Sequence, residues 1–176
     1  PNFNPLIIHC FSIDQIKAFA LWSSEAQVAA DKFWPGPLTM VLPLLPESNI
    51  SSLALAGLQT VAVRIPEHPI AQKILKLSNT PLAAPSANPS GTVSATKAEH
   101  VISRLSGKIE GIISGKASKI GLESTIISLL TEASILRFGA IGGAEISDVL
   151  GLNLKKPEQD GKISAPGQLS SHYAPR

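Results

Sequence analysis

Cysteine, tyrosine and methionine are almost absent from this sequence, which has one of each among 176 residues. The single cysteine, Cys10, excludes a disulfide within the chain and favours a reducing compartment, so we expect a cytoplasmic protein. No apolar run approaches the roughly 20 residues that a membrane-spanning helix requires, so we expect no membrane partner. Charged residues make up only 16% of the chain and the formal net charge is +2. This balance permits an anionic partner without requiring one.

Hydrophobic residues are plentiful, at 44%, which predicts a folded domain with a buried core. Short apolar segments typical of strands occur at 6–8, 38–44, 60–65, 81–84, 109–113, 125–130 and 135–138. Helical patterns follow residue 12 and cover 24–33, 69–77, 96–105 and 145–150. Because helices interrupt the strands irregularly, the order favours an α+β fold with a mixed sheet over a regularly wound parallel sheet.

Several helix ends carry their own signals. Ser12 is followed by Gln15, and Thr96 by Glu99, which is the spacing of a capping box at a helix start. Pro69 suits the first position of a helix because its missing N–H has no partner there in any case. Gly151 is expected just beyond the last helix, where a left-handed residue commonly ends the element.

One strand and one polar loop together suggest an anion site. Alternation along 60–65 places Arg64 on the face opposite to Val61 and Val63. The later strand at 81–84 runs directly into the loop 85–91, with the sequence PSANPSG. Hydroxyls, an amide and backbone N–H groups in this loop could bind phosphate or carboxylate without a Walker lysine. The same residues also make an ordinary turn, so composition alone leaves both interpretations open.

Familiar catalytic motifs are missing. Segment 111–116 lacks the spacing of a P-loop, segment 139–143 fails the dinucleotide pattern, and Gly-x-Ser-x-Gly does not occur. The histidines at 9, 68, 100 and 172 are far apart with no cysteine partner, so we expect no structural zinc site and no metal ligand in the protein. An enzyme with this sequence would act by positioning and charge.

The order of the motifs resembles the YrdC-like family, and within it the long form of the threonylcarbamoyl-AMP synthases. The resemblance spans 4–175 and is carried by these segments: NPLIIH at 4–9, WPGPLT at 34–39, TVAVRIP at 60–66, APSAN at 84–88, ESTI at 123–126, LR at 136–137, APG at 165–167 and HYAP at 172–175. It implies a twisted mixed β-sheet with flanking helices around a concave cavity.

The resemblance also implies a reaction. L-threonine, bicarbonate and ATP would give threonylcarbamoyl-AMP and pyrophosphate, with Mg²⁺ accompanying ATP. The product would serve threonylcarbamoyladenosine modification of tRNA, so downstream tRNA-modification proteins are implied partners. Such a reaction needs alignment and neutralised phosphate charge more than a protein nucleophile, and no residue is assigned as nucleophile or base.

Four residues match threonine-binding positions of the family, namely His9, Arg64, Ala84 and Ser124. Arg64 would pair with the threonine carboxylate, Ala84 would offer backbone groups, and Ser124 a hydroxyl. From the residues alone other interpretations stay open. Arg64 could be a surface arginine, His9 a structural histidine at a strand end, and Ser124 a serine that merely starts a strand.

Six residues match ATP-binding positions, namely Asn4, Thr60, Ser86, Ser94, Arg137 and Tyr173. Arg137 would supply a cation near the triphosphate, and Tyr173 would cover the nucleotide and exclude water. Asn88 is expected to hold the loop rather than the ligand. Thr60 could equally be a strand residue chosen for its β propensity.

The resemblance predicts a catalytic domain over 1–152 and a linker over 153–176 toward a second domain. It also implies that a Lys-x-Arg-Pro motif precedes Pro1, so that the catalytic domain is truncated at its N-terminus. Because cations of that motif would reach the triphosphate, we expect 1–176 alone to be inactive in pyrophosphate release.

Two alternative functions stay open. The first is a module that binds double-stranded RNA or tRNA through phosphate contacts, without catalysis. Few aromatic residues are available for stacking, since the chain has two Trp and one Tyr. The second is a carbamoyl-phosphate-using relative of the type found in hydrogenase maturation proteins, against which the segment HYAP at 172–175 argues.

Overall fold

The structure is a computed structural model that describes residues 4–89 and 91–156. Within these residues the chain forms six strands and five helices in the order β1 Ile7–His9, α1 Ile13–Lys17, α2 Ser24–Phe33, β2 Leu38–Pro43, β3 Thr60–Arg64, α3 Pro69–Ser78, β4 Leu82–Ala84, α4 Ala98–Leu105, β5 Thr125–Leu129, β6 Ala133–Arg137 and α5 Gly143–Leu150. None of these helices is long and apolar enough to cross a membrane.

The strands form one mixed sheet in the order β4-β1-β3-β2-β5-β6. β1 runs parallel to β3 and β2 parallel to β5, whereas the β1–β4, β2–β3 and β5–β6 pairs are antiparallel. The predicted α+β fold with a mixed sheet is therefore confirmed. Parallel pairing of β1 and β3 places His9 beside Arg64, so the last residues of these two strands lie at the same end of the sheet.

The main core lies on one face of the sheet. Alternate residues of the strands point to it, and α1, α2 and α5 contribute Ile16, Ala29 and Ile146. Cys10 belongs to this core and is fully buried, and burial raises the pKa of its thiol to about 12. The only cysteine is thus a packing residue in the described structure.

The opposite face carries a small apolar cluster of Ile7, Val41, Ala62 and Ile126, with Leu136 packed against it. Both faces of β3 are therefore largely buried, and the sequence-based view of one core face and one face presenting an arginine holds only at the strand end. The polar residues discussed below surround this cluster.

The predicted helix ends are partly right. Ser12 accepts a hydrogen bond from the Gln15 backbone N–H at 3.4 Å, and α3 begins at Pro69 as expected. The box predicted at Thr96 is wrong, because α4 begins at Ala98 and its N-cap, Lys97, makes no side-chain cap hydrogen bond. Thr96 instead contacts the Nδ1 atom of His100. The last helix ends at Gly151 with φ of 64°.

Two other expectations differ from the structure. The segment 109–113 is not a strand, although its apolar texture suggested one, and Ile113 is 69% exposed because no neighbouring strand pairs with it. The start of the expected linker packs on the sheet, since Leu154 is buried and the backbone of Lys155 bonds to Ala133 and Ile135 of β6. The rest of the predicted linker, 157–176, lies outside the described residues.

Candidate functional site

A cavity of about 230 Å³ opens on the face of the sheet that carries the small apolar cluster. Its lining comes from the ends of β1 and β3, from the loop after β4, and from the residues before β5 and at the end of β6. Residues from distant parts of the sequence therefore meet here. Those used in the argument below are His9, Arg64, Ala84, Ser94, Glu123, Ser124 and Arg137.

Arg64 is positioned by the turn that precedes β2. Its Nε donates a hydrogen bond to the Gly36 carbonyl at 2.9 Å, and the Gly36 N–H donates to Ile65 at 2.9 Å. Gly36 cannot carry a side chain without movement, because a Cβ would lie 2.2 Å from the Phe33 carbonyl oxygen. One edge of the guanidinium is thus fixed by backbone at the point where Arg64 lines the cavity.

Arg137 lines the cavity, although its side chain is only 6% exposed. It donates to a Glu123 carboxylate oxygen at 2.5 Å, to the Ser124 carbonyl at 2.9 Å and to the Ser124 hydroxyl at 2.9 Å. The Ser124 hydroxyl also lies 2.8 Å from the hydroxyl of Thr39, which is fully buried in β2. These contacts hold the Ser124 side chain in one orientation at the cavity wall.

A β-bulge explains why Arg137 reaches the cavity at all. Ile126 pairs with Arg137 and Ile127 with Ile135, so β6 has one extra residue at this point. In a strand without a bulge, side chains alternate regularly, so Ile135 and Arg137 would lie on the same face. Ile135 packs in the main core, whereas the bulge turns Arg137 to the opposite face beside Ser124.

The two arginines repel each other electrostatically. Burial and the charge of Arg137 lower the pKa of Arg64, and the carboxylate of Glu123 opposes this effect. Glu123 therefore acts as a counter-charge to both cations. Two arginines with one carboxylate leave an excess of positive charge, which suits an anionic ligand.

His9 lies between Arg64 of β3 and Leu82 of β4. Burial and the positive charge of Arg64 lower its pKa to about 4. Its Nδ1 lies 3.1 Å from the Ile7 carbonyl oxygen, which suits a neutral ring that donates from this nitrogen. His9 is therefore an uncharged hydrogen-bonding group near neutral pH and adds no cation to the cavity.

We predict that His9 makes the folded state less stable in acid. Its folded pKa of about 4 lies below the ordinary value of 6.5, so the unfolded chain binds the proton more readily and stability falls as pH drops from 6.5 to 4. The loss amounts to about 3 kcal/mol at its limit. Urea unfolding of wild type and His9→Asn at pH 7.5 and pH 4.5 measures it.

The exposed His100, which lies outside the cavity lining, is the matched position for the same substitution, His100→Asn. The unfolding free energy of wild type should fall more between pH 7.5 and pH 4.5 than that of His9→Asn. Equal falls in the two proteins would contradict the assignment of a neutral, buried histidine.

The structure brings together seven of the ten residues predicted for the site. All four threonine-binding candidates line the cavity, as do Ser86, Ser94 and Arg137. Thr60 does not, because it lies four residues before Arg64 at the opposite end of β3, about 13 Å away at the usual rise of a strand. Asn4 precedes β1 outside the lining, and its side-chain oxygen is buried with no hydrogen-bond partner among the described residues. Tyr173 lies outside the described residues.

Three residues with evident roles had none assigned from sequence, although each stood in a quoted motif. Glu123 bonds Arg137 and Ser94, Thr39 contacts Ser124, and Gly36 holds Arg64. A lone hydroxyl within the apolar segment 38–44 was a usable signal for Thr39. Asn88 holds the loop as expected, donating from its side chain to Pro89 and Thr92.

Comparison with known proteins identifies the family and the fold. The model for Sua5, YciO and YrdC proteins, described as "Telomere recombination", matches residues 1–139 of the 176. The chain belongs to the Sua5/YciO/YrdC family. The resemblance drawn from the motifs is thus confirmed for most of the sequence.

Members of the Sua5/YciO/YrdC family with curated names are similar over almost the whole chain. Threonylcarbamoyl-AMP synthase of Bacillus subtilis is 42% identical over 180 residues, and that of Pyrococcus abyssi is 45% identical over 181 residues. Each alignment covers 99% of this chain, but only 52% and 53% of the relatives. The chain therefore spans about half the length of the relatives it matches.

A solved Sua5 structure is also similar. The crystal structure of P. abyssi Sua5 complexed with L-threonine has a TM-score of 0.92 and 43% sequence identity, covering 99% of this chain and 53% of the other. This likeness confirms the YrdC-like fold for the chain.

Proposed function

We propose that this chain is the synthase region of a threonylcarbamoyl-AMP synthase, which converts L-threonine, bicarbonate and ATP to threonylcarbamoyl-AMP and pyrophosphate. The observation that carries the proposal is a cavity lined by Arg64, by Ser124, whose hydroxyl is fixed by Arg137, and by the exposed β4 residue Ala84. The similarity to curated synthases and to a Sua5 complexed with L-threonine supports it.

L-threonine would be bound by its carboxylate on Arg64. A planar guanidinium whose Nε is already held by Gly36 presents its remaining donors in a fixed direction, which reduces the entropy lost on binding. Ser124 would hydrogen-bond the substrate through its hydroxyl, and the backbone of Ala84 would contact it as well. A neutral His9 adds a polar group without competing for the carboxylate.

The chemistry that follows would use position and charge. The threonine amine attacks the carbon of bicarbonate, water leaves, and a carbamate forms. A carbamate oxygen then attacks the α-phosphorus of ATP in line, and pyrophosphate leaves with the electron pair of the broken P–O bond. Neither step needs a protein nucleophile. The positive charge of Arg137 would stabilise the negative charge that gathers on the phosphate groups.

The part of the chain that the structure describes offers no ready-made protein site for magnesium. Among the described residues no group of three or more His, Cys, Asp or Glu side chains is placed to hold a metal ion. Glu123 is the one acidic side chain in the described lining, and it is bonded to Ser94 and Arg137. Mg²⁺ stays a prediction as a companion of ATP, and the steps above do not pass through it.

The partner predictions beyond the substrates also stay predictions. They are tRNA or double-stranded RNA, and the downstream tRNA-modification proteins. No contact within 4–89 and 91–156 distinguishes an RNA-binding surface. RNA affinity that falls steeply with salt and ignores L-threonine and ATP would favour the binding module over the synthase.

Calorimetric titration tests the substrate assignment. L-threonine should bind at one site with ATP and bicarbonate present, and ATP should bind in its own titration. Binding of neither substrate would contradict the proposal. Carbamoyl phosphate serves as the control ligand for the type found in hydrogenase maturation proteins. Binding of carbamoyl phosphate, without binding of L-threonine, would favour that alternative.

A further inference from the structure

The carboxylate of Glu123 stands where two donors of the cavity converge. Its Oε1 accepts from the Ser94 hydroxyl at 2.5 Å, and its Oε2 accepts from Arg137 Nη1 at 2.5 Å. The donors come from 29 residues before and 14 residues after it. The Glu123 side chain is only 18% exposed. Its two donors therefore reach it inside the cavity wall, where an incidental surface contact is not expected.

A hydroxyl and a guanidinium N–H that satisfy the two oxygens of a carboxylate have the donor arrangement that also binds two oxygens of a phosphate. We propose that Glu123 is a built-in counter-anion, which occupies a phosphate subsite made by Ser94 and Arg137 until nucleotide phosphate displaces it. The inference rests on the proposed function, since it assigns the ligand of that subsite as a nucleotide phosphate.

The charge balance explains why a carboxylate is needed there. Arg137 is buried, and a buried cation without a partner costs several kcal/mol. Glu123 also faces the neighbouring Arg64, whose charge it partly offsets. Before any ligand binds, the carboxylate therefore stabilises the folded cavity. After a phosphate arrives, the same carboxylate repels it, so Glu123 should limit the affinity for nucleotide.

Removing the charge of Glu123 should weaken folding but tighten the binding of phosphate ligands. Glu123→Gln keeps the shape of the side chain and removes its charge. The unliganded variant should unfold at a lower temperature than wild type, because Arg137 loses its counter-charge. Inorganic pyrophosphate and ATP should bind it about fivefold or more tightly, because one repelling charge near the phosphate is gone. A merely structural role would lower stability without tightening either ligand.

The experiment combines calorimetric titration of pyrophosphate and ATP with thermal unfolding over a pyrophosphate series. Glu110→Gln is the matched control, since Glu110 is exposed and lies outside the cavity lining. It should behave as wild type. The rise in unfolding temperature with pyrophosphate should be larger for Glu123→Gln than for both other proteins, because tighter binding stabilises more.

Unchanged or weaker binding of pyrophosphate and ATP by Glu123→Gln, beside normal binding by wild type, would overturn the inference while leaving the proposed function intact. If neither protein bound ATP, both would be contradicted. Should Glu123→Gln fail to fold alone, Glu123→Asp keeps the charge but is too short to bond both donors. Its affinity for pyrophosphate should then rise about twofold, as Ser94 is released, and a fall would overturn the inference.

Discussion

Replacing Arg64 with alanine is expected to weaken L-threonine binding by about 2 to 4 kcal/mol, because a substrate carboxylate would lose its charged partner in a partly enclosed cavity. The expectation follows from the anchored guanidinium, whose Nε is held by Gly36 while the residue lines the cavity. ATP binding should change little. Calorimetric titration of both ligands into wild type and variant measures the difference.

Two further variants separate charge from geometry. Arg64→Lys keeps the cation but loses the planar fork, so its L-threonine affinity should lie between those of wild type and Arg64→Ala. Lys73→Ala removes an exposed cation of α3 outside the cavity lining and should leave affinity unchanged. Equal L-threonine affinity in wild type and Arg64→Ala would remove Arg64 from the site.

Loss of the Arg137 side chain should destabilise the fold as well as the site. Arg137→Ala is expected to lower the free energy of unfolding by about 3 kcal/mol or more, because it removes the buried cation that faces the poorly exposed Glu123 carboxylate. ATP affinity should also fall, and more than L-threonine affinity. Urea unfolding and ATP titration provide the two measurements.

The chain contains a second ion pair that serves as a control. Lys155 and Glu132 are 63% and 66% exposed, so Lys155→Ala should cost less than about 1 kcal/mol. Similar losses of unfolding free energy for Lys155→Ala and Arg137→Ala would show that the buried network contributes no more than a surface pair. Normal ATP binding by a folded Arg137→Ala protein at low salt would contradict its place in the nucleotide site.

The strands and helices with a strong local signal were predictable from sequence. Alternation in 60–65 placed Arg64 opposite the core valines, and α2 has the predicted limits. The strand predicted at 109–113 is wrong because three isoleucines among five residues have the composition of a strand whether or not a partner strand is available. Pairing is a property of the whole sheet, which no local window contains.

The site was predictable only in part, for a similar reason. Regular alternation would put Arg137 on the core face with Ile135, and only the bulge in β6 turns it to Ser124. Thr60 shares a face with Arg64, but the two residues lie at opposite ends of β3. The bond between Ser94 and Glu123 spans 29 residues and depends on the path of a loop. Neither the bulge nor the path of the loop can be predicted from the local sequence pattern.

The central claim is that L-threonine binds in the cavity between Arg64 and Ser124. An NMR titration of isotopically labelled protein tests both the binding and its place. We predict saturable shifts of the backbone amides of Ala84 and Ser124 and of the Arg64 side-chain N–H, with little change at Ala133 and Gly151, which do not line the cavity. Absence of shifts at saturating L-threonine, or shifts confined to residues outside the cavity, would contradict the claim.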